Sequence, residues 1–188
     1  MRERLAIVCW GIMGCHGGPA LGAKAEPRAP GEASARVSHE PLPPPAATQD
    51  LWASMCRVLP GTWKSDSANG KSVTESFRVV SASSALVESF VTSSHRETLS
   101  VYYPDGGSLL LTHYCAQGNQ PRLRATEISD DAVVFRFVDA TNVRESQSVL
   151  VEKRLHLSGD TLEQTEIYRN PDGTIESTLF RFARVRTP

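Results

Sequence analysis

From Thr48 onward the apolar and polar residues follow regular patterns, and the first pattern is helical. Thr48 or Asp50 can cap a short helix, because both side chains can accept a hydrogen bond from the first free backbone N–H groups. Its apolar face consists of Leu51, Met55 and Val58. Pro60 and Gly61 then end the helix, since proline cannot continue it and glycine favours a turn. We therefore expect one short amphipathic helix at the start of the folded part.

Beyond this helix, period-two alternation predicts β-strands almost to the C-terminus. In VTESFRVV, Phe77 and Val79 lie on one side of the chain, and Ser76 and Arg78 lie on the other. Turn signals such as Asp105-Gly106-Gly107 separate the segments. The pattern gives about ten short strands joined by tight hairpins. In chain order they are GTWKSD, VTESFRVV, ALVESFVT, ETLSVYY, SLLLTHYC, RLRATEI, AVVFRFV, VLVEKRLHL, TLEQTEIY and TIESTLFRFARV.

Consecutive strands without helical crossovers pair in an antiparallel manner. A sheet of this width normally curls, and closing it removes both exposed edges. The predicted fold class is therefore all-β, a single antiparallel up-and-down β-barrel of about ten strands with a short N-terminal helix. This domain is expected over residues 50–188. A two-sheet sandwich is the alternative fold, and the short hairpins favour the barrel.

The N-terminus has the layout of a secretory signal peptide. Two arginines precede an apolar run at residues 5–13, which is much shorter than the ~20 residues of a membrane-spanning helix. The tetrapeptide IMGC resembles a bacterial lipobox, and this resemblance implies a signal peptide over residues 1–15 and a lipid anchor on Cys15. Cleavage after Ala25 is the alternative. We expect an exported cell-envelope protein, periplasmic or an outer-membrane lipoprotein, and otherwise a secreted one.

Residues 16–49 are dominated by proline, alanine and glycine and contain few large apolar side chains. Such a segment cannot bury enough surface to offset the entropy lost on ordering. It is therefore predicted to be a disordered linker between the N-terminus and the folded domain.

The charge balance narrows the choice of partners. The chain has 20 Lys+Arg against 21 Asp+Glu, which gives a formal net charge of −1. No basic excess is present to neutralise a phosphate backbone, so nucleic acid is not an expected partner. Contact with a membrane is expected through the lipid anchor at most, and no protein partner is indicated.

The segment LPGTW at residues 59–63 resembles the opening of calycin-type barrels, which are lipocalins, fatty-acid-binding proteins and nitrobindin-like proteins. In these families a Gly-x-Trp on the first strand plugs one end of the barrel. The similarity extends over residues 51–185, where HRETLSVYYPDGGSLLLTHYCAQGNQPRLRA and FRFVDATN are similar to segments of uncharacterised bacterial calycin-like proteins. This resemblance implies the barrel fold and implies no activity.

The same resemblance raises the question of a cofactor. Nitrobindin-like proteins hold haem through a histidine, but no position here matches that ligand, and the second glycine-rich part of their opening motif is absent after Trp63. In the nearer group, histidines are expected after DATN, where this chain has VRESQS at residues 143–148. The resemblance therefore implies no cofactor, and haem is kept only as an alternative.

The strand SLLLTHYC carries the main candidate chemistry. One of its faces presents Leu109, Leu111, His113 and Cys115, and the other presents Leu110, Thr112 and Tyr114. Because both faces carry a leucine, alternation does not decide which one lines the interior. His113 and Cys115 could form a nucleophile pair, but no third group that orients the base is evident. A hydrogen-bonded interior histidine is the favoured interpretation, and a Cys56–Cys115 disulfide is an alternative.

Other ionisable residues give weaker signals. Arg122 and Arg124 either pair with a glutamate such as Glu127 or Glu145, or hold a carboxylate or phosphate at the barrel mouth. Two further patterns concern the faces of strands. Glu152, Arg154 and His156 alternate as an outward face, whereas Glu163 and Glu166 lie on opposite faces. The chain has no P-loop, G-x-S-x-G, C-x-x-C or H-E-x-x-H motif, so we assign no catalytic residue and no metal ligand.

Three functions are compatible with these patterns. The favoured one is binding of a small apolar or amphipathic ligand inside the barrel. Apolar contacts are expected from Phe77, Val101, Leu111, Phe135 and Phe180, and polar contacts from His113, Tyr103 and Arg124. One alternative is an enzyme that uses His113 with a carboxylate such as Glu88 as an acid–base pair. The other is an envelope scaffold with a filled barrel that binds a protein partner.

Overall fold

The computed structural model describes residues 46–66 and 72–186. The predicted signal peptide, the lipidation site Cys15, the alternative cleavage site after Ala25 and the linker up to residue 45 lie outside the described residues. The first element is the helix α1 (Ala46–Val58). It begins before the predicted domain boundary at residue 50, because the two alanines at its start have high helix propensity. In the described ranges, no helix combines the length and the apolar character needed to cross a membrane.

The described residues contain ten β-strands that form one closed antiparallel barrel. Strands that follow each other in sequence are neighbours in the sheet, and the first strand closes the barrel by pairing with both the second and the last. The predicted fold class is confirmed. The strands are β1 Gly61–Asp66, β2 Ser72–Val80, β3 Ala85–Thr92, β4 Glu97–Asp105, β5 Ser108–Tyr114, β6 Gln120–Ile128, β7 Ala132–Thr141, β8 Val149–Ser158, β9 Thr161–Arg169 and β10 Ile175–Arg184.

The barrel has two ends of different character. At the end that we call the helix end, α1 packs near the β6–β7 and β8–β9 turns, and Met55 and Leu59 are buried there. The connections β3–β4, β5–β6, β7–β8 and β9–β10 meet at the opposite end, which we call the open end. No described helix covers the open end.

Trp63 seals the helix end in the way that the Gly-x-Trp segment suggests. Its side chain is fully buried, and its indole Nε1–H donates a 2.9 Å hydrogen bond to the carbonyl oxygen of Leu59. The Arg184 guanidinium lies 4.0 Å from the centre of the indole ring. Gly61 has a φ of 125°, and a Cβ there would lie 3.1 Å from a guanidinium nitrogen of Arg184. This close approach explains why glycine precedes the tryptophan by two residues.

The inward-facing residues change from apolar to polar along the strands, from the helix end to the open end. On β3 they are Leu86, Glu88, Phe90 and Thr92; on β5, Leu109, Leu111 and His113, followed by Cys115 just after the strand; on β9, Leu162, Gln164, Glu166 and Tyr168. The packed apolar core therefore occupies the helix end. A layer of buried polar side chains lies between this core and the open end.

Candidate functional site

An ion pair crosses the middle of the barrel interior. Nζ of Lys153 on β8 lies 2.5 Å from Oε1 of Glu88 on β3, and neither side chain is more than 1% exposed. The same ammonium group lies 3.4 Å from Oε1 of Glu166 on the neighbouring strand β9. Burial of charge on this scale is tolerated only where the partners also make hydrogen bonds. The Glu88 carboxylate meets this condition, because it accepts hydrogen bonds from Ser100 and Tyr102.

A chain of hydrogen bonds leads from this ion pair toward the open end. Glu88, Ser100 and His113 are direct cross-strand neighbours on β3, β4 and β5, so the sheet register itself brings them together. Ser100 Oγ lies 3.3 Å from Glu88 Oε1 and 3.1 Å from His113 Nδ1. On the other side of the imidazole, Nε2 lies 3.3 Å from the Tyr168 hydroxyl on β9.

The hydrogen-bond partners assign the tautomer of His113. Ser100 donates its only proton to the Glu88 carboxylate, so its oxygen must accept from Nδ1–H of His113. Nε2 then carries the lone pair and accepts from the Tyr168 hydroxyl. Burial, reinforced by the positive charge of Lys153, lowers the pKa of His113 to about 4, against a partial opposing effect of Glu88. The imidazole is therefore neutral at physiological pH.

The pKa directions show which of the central groups are charged. Burial alone would raise the pKa of Glu88, but Lys153, together with the hydrogen bonds that the carboxylate accepts, lowers it overall. Burial alone would lower the pKa of Lys153, and the surrounding glutamates raise it overall. Glu88 and Lys153 are thus both ionised. For Glu166, burial raises the pKa and Lys153 offsets this only in part.

Glu75 on β2 is the unpaired acid of this layer. It is fully buried, and neither carboxyl oxygen has a hydrogen-bond partner among the described residues. Burial and the negative charge of Glu88 raise the pKa of Glu75 well above its usual range, although Lys153 opposes this. Both effects favour the protonated, neutral form of Glu75.

A cavity of about 280 Å³ opens directly above the polar layer at the open end. Glu166 and Tyr168 form its floor, and Phe90 contributes an apolar wall. Its sides include Thr92, Arg96, Thr98, Cys115, Gln117, Ser148, Glu176 and Thr178. Glu166 is 8% exposed. Because Tyr168 borders the cavity and contacts His113, it connects the cavity to the buried network.

The structure decides which face of β5 lines the interior. His113 and Leu111 are at most 1% exposed and face inward, whereas Tyr114 is 47% exposed. Phe77 and Phe135 are buried in the packed core. Phe180 also faces inward, nearer the open end, with its ring centre 5.2 Å from that of Phe90.

Three residues that were expected to contact a ligand lie elsewhere. The structure places Val101 and Tyr103 on the outer face of β4 instead, because they alternate with the buried, inward-facing Ser100 and Tyr102. Tyr103 lies next to Thr112, with the two hydroxyl oxygens 3.1 Å apart. Arg124 is exposed on the outer face of β6, next in sequence to the buried Leu123. None of these three side chains faces the interior.

Several interpretations of charged residues can be compared with the structure. The outward face of Glu152, Arg154 and His156 is confirmed, as are the opposite faces of Glu163 and Glu166. Other contacts differ from the sequence-based expectations. Arg122 pairs with Asp139 rather than with a glutamate, and Glu127 pairs with Arg136. Cys56 in α1 and Cys115 at the open end are free thiols at opposite ends of the barrel, so they form no disulfide.

Sequence reasoning included His113 and Glu88 among its candidates but missed most of their partners. Of these partners, Lys153 was the easiest to predict from the sequence, because the alternation that turns Glu152 and Arg154 outward turns Lys153 inward. Ser100 and Tyr168 gave no signal of their own, since a serine and a tyrosine are ordinary on either face of a strand. Only the register across β3, β4 and β5 reveals the role of Ser100.

His113, the inward-facing histidine of the described residues, is 1% exposed, and both its ring nitrogens have hydrogen-bond partners. Across residues 46–66 and 72–186, no three histidine, cysteine, aspartate or glutamate side chains are grouped so that they could hold a metal ion.

No protein-family model matches this chain, and no curated protein matches it either.

Proposed function

We propose that this barrel binds a small amphipathic molecule in the cavity at its open end. The observation that carries the proposal is the arrangement of one apolar wall, Phe90, above a floor formed by Glu166 and Tyr168. Ligand pockets typically combine apolar walls with a few polar groups that fix the orientation of the ligand. The polar groups here are held in place by the buried network, so they need not be ordered when a ligand binds.

The energetics of such binding are modest and depend on both parts of the pocket. Burial of roughly 100 Å² of apolar ligand surface contributes about 2.5 kcal/mol. This gain is opposed by the loss of translational and rotational freedom on binding. Hydrogen bonds to the carboxyl of Glu166 and the hydroxyl of Tyr168 must therefore supply part of the affinity.

We further propose that the domain is calycin-like and that the chain is exported with a lipid anchor on Cys15. The closed barrel with Gly61 and Trp63 at its sealed end supports the first proposal. The signal-peptide pattern at residues 1–15 supports the second. A barrel of this kind would present its open cavity to the envelope compartment.

A second candidate function is proton-transfer catalysis on a molecule bound in the same cavity. The chain Glu88–Ser100–His113–Tyr168 favours it, because this chain ends at a hydroxyl that borders the cavity. The pair suggested by the sequence, His113 with Glu88, does not make direct contact, since Ser100 lies between them. Tyr168, rather than His113, would be the group that touches a substrate.

Native mass spectrometry of the full chain, purified after export, tests the proposed binding. Thr178 faces the cavity and Ser177 is its exposed neighbour on the outer face of β10, so Thr178→Trp blocks the cavity and Ser177→Trp is a matched control. We expect a retained small molecule on the wild type and on S177W, and none on T178W. Equal retention by T178W, or the bare chain mass for all three proteins, would contradict the proposal.

A further inference from the structure

We propose that the cavity is built for a ligand with a protonated amine, which Glu166 and Tyr168 bind at the floor through oxygen acceptors. This inference rests on the proposed ligand binding at the same cavity and adds the chemical class of the ligand. It depends on three features of the floor: the acceptor that holds the Tyr168 proton, the acceptor capacity of Glu166 and the charge of the buried glutamates.

An acceptor within the protein takes the proton of Tyr168. His113 accepts it at Nε2, because the other imidazole nitrogen donates to Ser100. The carboxyl of Glu166 is the other acceptor that interacts with this hydroxyl. With either acceptor the proton is held by the protein, so the Tyr168 oxygen presents only lone pairs to a ligand.

The contacts of Glu166 also leave acceptor capacity at the floor. Lys153 approaches Oε1 at 3.4 Å, and the amide nitrogen of Gln164 donates to the same oxygen at 3.3 Å. Oε2 takes part in neither contact. A ligand at the floor therefore meets two kinds of oxygen acceptor, one from Glu166 and one from Tyr168, and a group with several N–H donors matches them best.

The charges of the polar layer favour a cation. Three buried glutamates surround one lysine in this layer. The surroundings of Glu75 favour its neutral, protonated form, and Lys153 lies closer to Glu88 (2.5 Å) than to Glu166 (3.4 Å). Glu166 is therefore the buried glutamate whose negative charge is least compensated by Lys153. Of the three glutamates, it is the one that borders the cavity. A ligand cation would complete its charge balance.

The rim does not reverse this preference. Arg96 and Glu176 both border the cavity, and they carry opposite charges. A carboxylate ligand could meet Arg96, but at the floor its charge would lie against Glu166. A neutral hydroxyl could donate one hydrogen bond, but it would add no positive charge beside Glu166, whose ion pair with Lys153 is longer than that of Glu88.

Calorimetric titration of the full chain with three probes of similar size tests the inference. The probes are 2-phenylethylamine, which is a cation at neutral pH, the neutral 2-phenylethanol and the anionic 3-phenylpropanoate. We expect the amine to bind at least about tenfold more tightly than the alcohol, because a hydrogen bond to a charged group is the stronger kind. The acid should bind most weakly of the three.

The variant Glu166→Gln removes the charge and keeps the shape of the side chain. We expect it to weaken binding of the amine by about tenfold or more and to change binding of the alcohol by less than about threefold. Glu163→Gln is the matched control, because Glu163 lies on the outer face of the same strand and is 42% exposed. It should bind all three probes like the wild type. Tyr168→Phe provides a second variant, and it should also weaken binding of the amine.

The outcomes separate the two proposals. If the alcohol or the acid binds as tightly as the amine, and T178W abolishes that binding, the cavity is a binding site but the amine inference is wrong. Binding of the amine that neither E166Q nor Y168F weakens would also overturn the inference. If none of the three probes binds to the wild type, the amine inference fails, and the retained molecule in native mass spectrometry decides the proposed binding.

Discussion

Lys153 and Glu88 form an ion pair in the centre of the barrel, with Nζ and Oε1 2.5 Å apart and both side chains at most 1% exposed. Removing two charges from water costs several kcal/mol for each ion. Here the cost is offset because Ser100 and Tyr102 donate hydrogen bonds to Glu88, and Glu166 lies beside Lys153. The pair therefore depends on the completeness of its surroundings.

Breaking this pair on one side should destabilise the fold more than removing it altogether. We expect Lys153→Met to lower the free energy of unfolding by about 3–5 kcal/mol, because it leaves Glu88 buried without its counter-ion. The double variant Glu88→Gln with Lys153→Met should recover a large part of this loss. Urea unfolding at pH 7 of the wild type, the two single variants and the double variant measures these losses, and additive losses from the two single changes would contradict the account. Arg181→Met on the outer face, which breaks the exposed pair with Glu163, should have a small effect.

Glu75 should lower the stability of the protein as the pH rises. The folded state raises the pKa of this carboxyl above 4.5, so in the window from about 4.5 up to the folded pKa only the unfolded chain releases the proton. Stability is therefore lost as the pH increases through this window. We expect Glu75→Gln to be more stable than the wild type at pH 8, by a margin that grows from pH 5 to pH 8. Thermal unfolding at these pH values checks this, and a constant difference would show that Glu75 does not titrate in this way.

His113 should lower the stability of the protein as the pH falls, which is the opposite of the effect of Glu75. Its pKa falls from 6.5 to about 4 on folding, so between these values the unfolded chain binds a proton that the folded protein does not. Stability is lost as the pH falls from 6.5 to 4, by about 3 kcal/mol at most. His113→Gln cannot titrate and should lack this part of the pH dependence. His156→Gln, on the exposed outer face, is the matched control in urea unfolding at pH 7, 5.5 and 4. Parallel curves for the wild type and H113Q would refute the assignment of His113 as a buried neutral base.

Trp63 should matter for stability through its hydrogen bond as well as its size. Trp63→Phe removes the Nε1–H donor, so the Leu59 carbonyl loses a buried partner, and it removes the indole surface under Arg184. We expect a loss of about 2–4 kcal/mol in the free energy of unfolding. Trp52→Phe in α1 is the matched control, because Trp52 is only partly buried, and it should cost less. Equal losses for the two variants would show that Trp63 has no special role at the helix end.

The strand pattern was predictable because most strands have one buried face and most of the turns between them contain glycine, asparagine or aspartate. The inward face of β5 was not predictable. Leu110 on its outer face is only 3% exposed, which is nearly as buried as Leu109 and Leu111. When both faces of a strand are covered, alternation loses its information about direction. The same ambiguity applies to β4. Val101 and Tyr103 were expected to contact a ligand, but they lie half-buried on the outer face of that strand.

The candidate site was predictable only in fragments. His113, Glu88 and Glu166 are conspicuous as ionisable residues on strands, but their partners lie up to 65 residues away in sequence. The pairing register brings Ser100 between Glu88 and His113, and the register of β8 shifts between Leu150 and Glu152. A shift of this kind reverses the faces on either side of it, so a single period cannot be carried along the strand. The cavity is lined by residues of four strands and three connections that are far apart in sequence, so it has no local signal.

The most direct test of the proposed binding site is to determine which residues of the barrel a ligand contacts. A titration of the full chain with 2-phenylethylamine, followed by ¹H–¹⁵N NMR, reports on every backbone amide at once. We predict saturable shifts that are concentrated at Thr92, Tyr168 and Thr178 around the open end, with little change at Met55 and Leu59. Shifts centred on α1 at the helix end, or no saturable shifts at all, would contradict the claim that the open end of this barrel is a binding site.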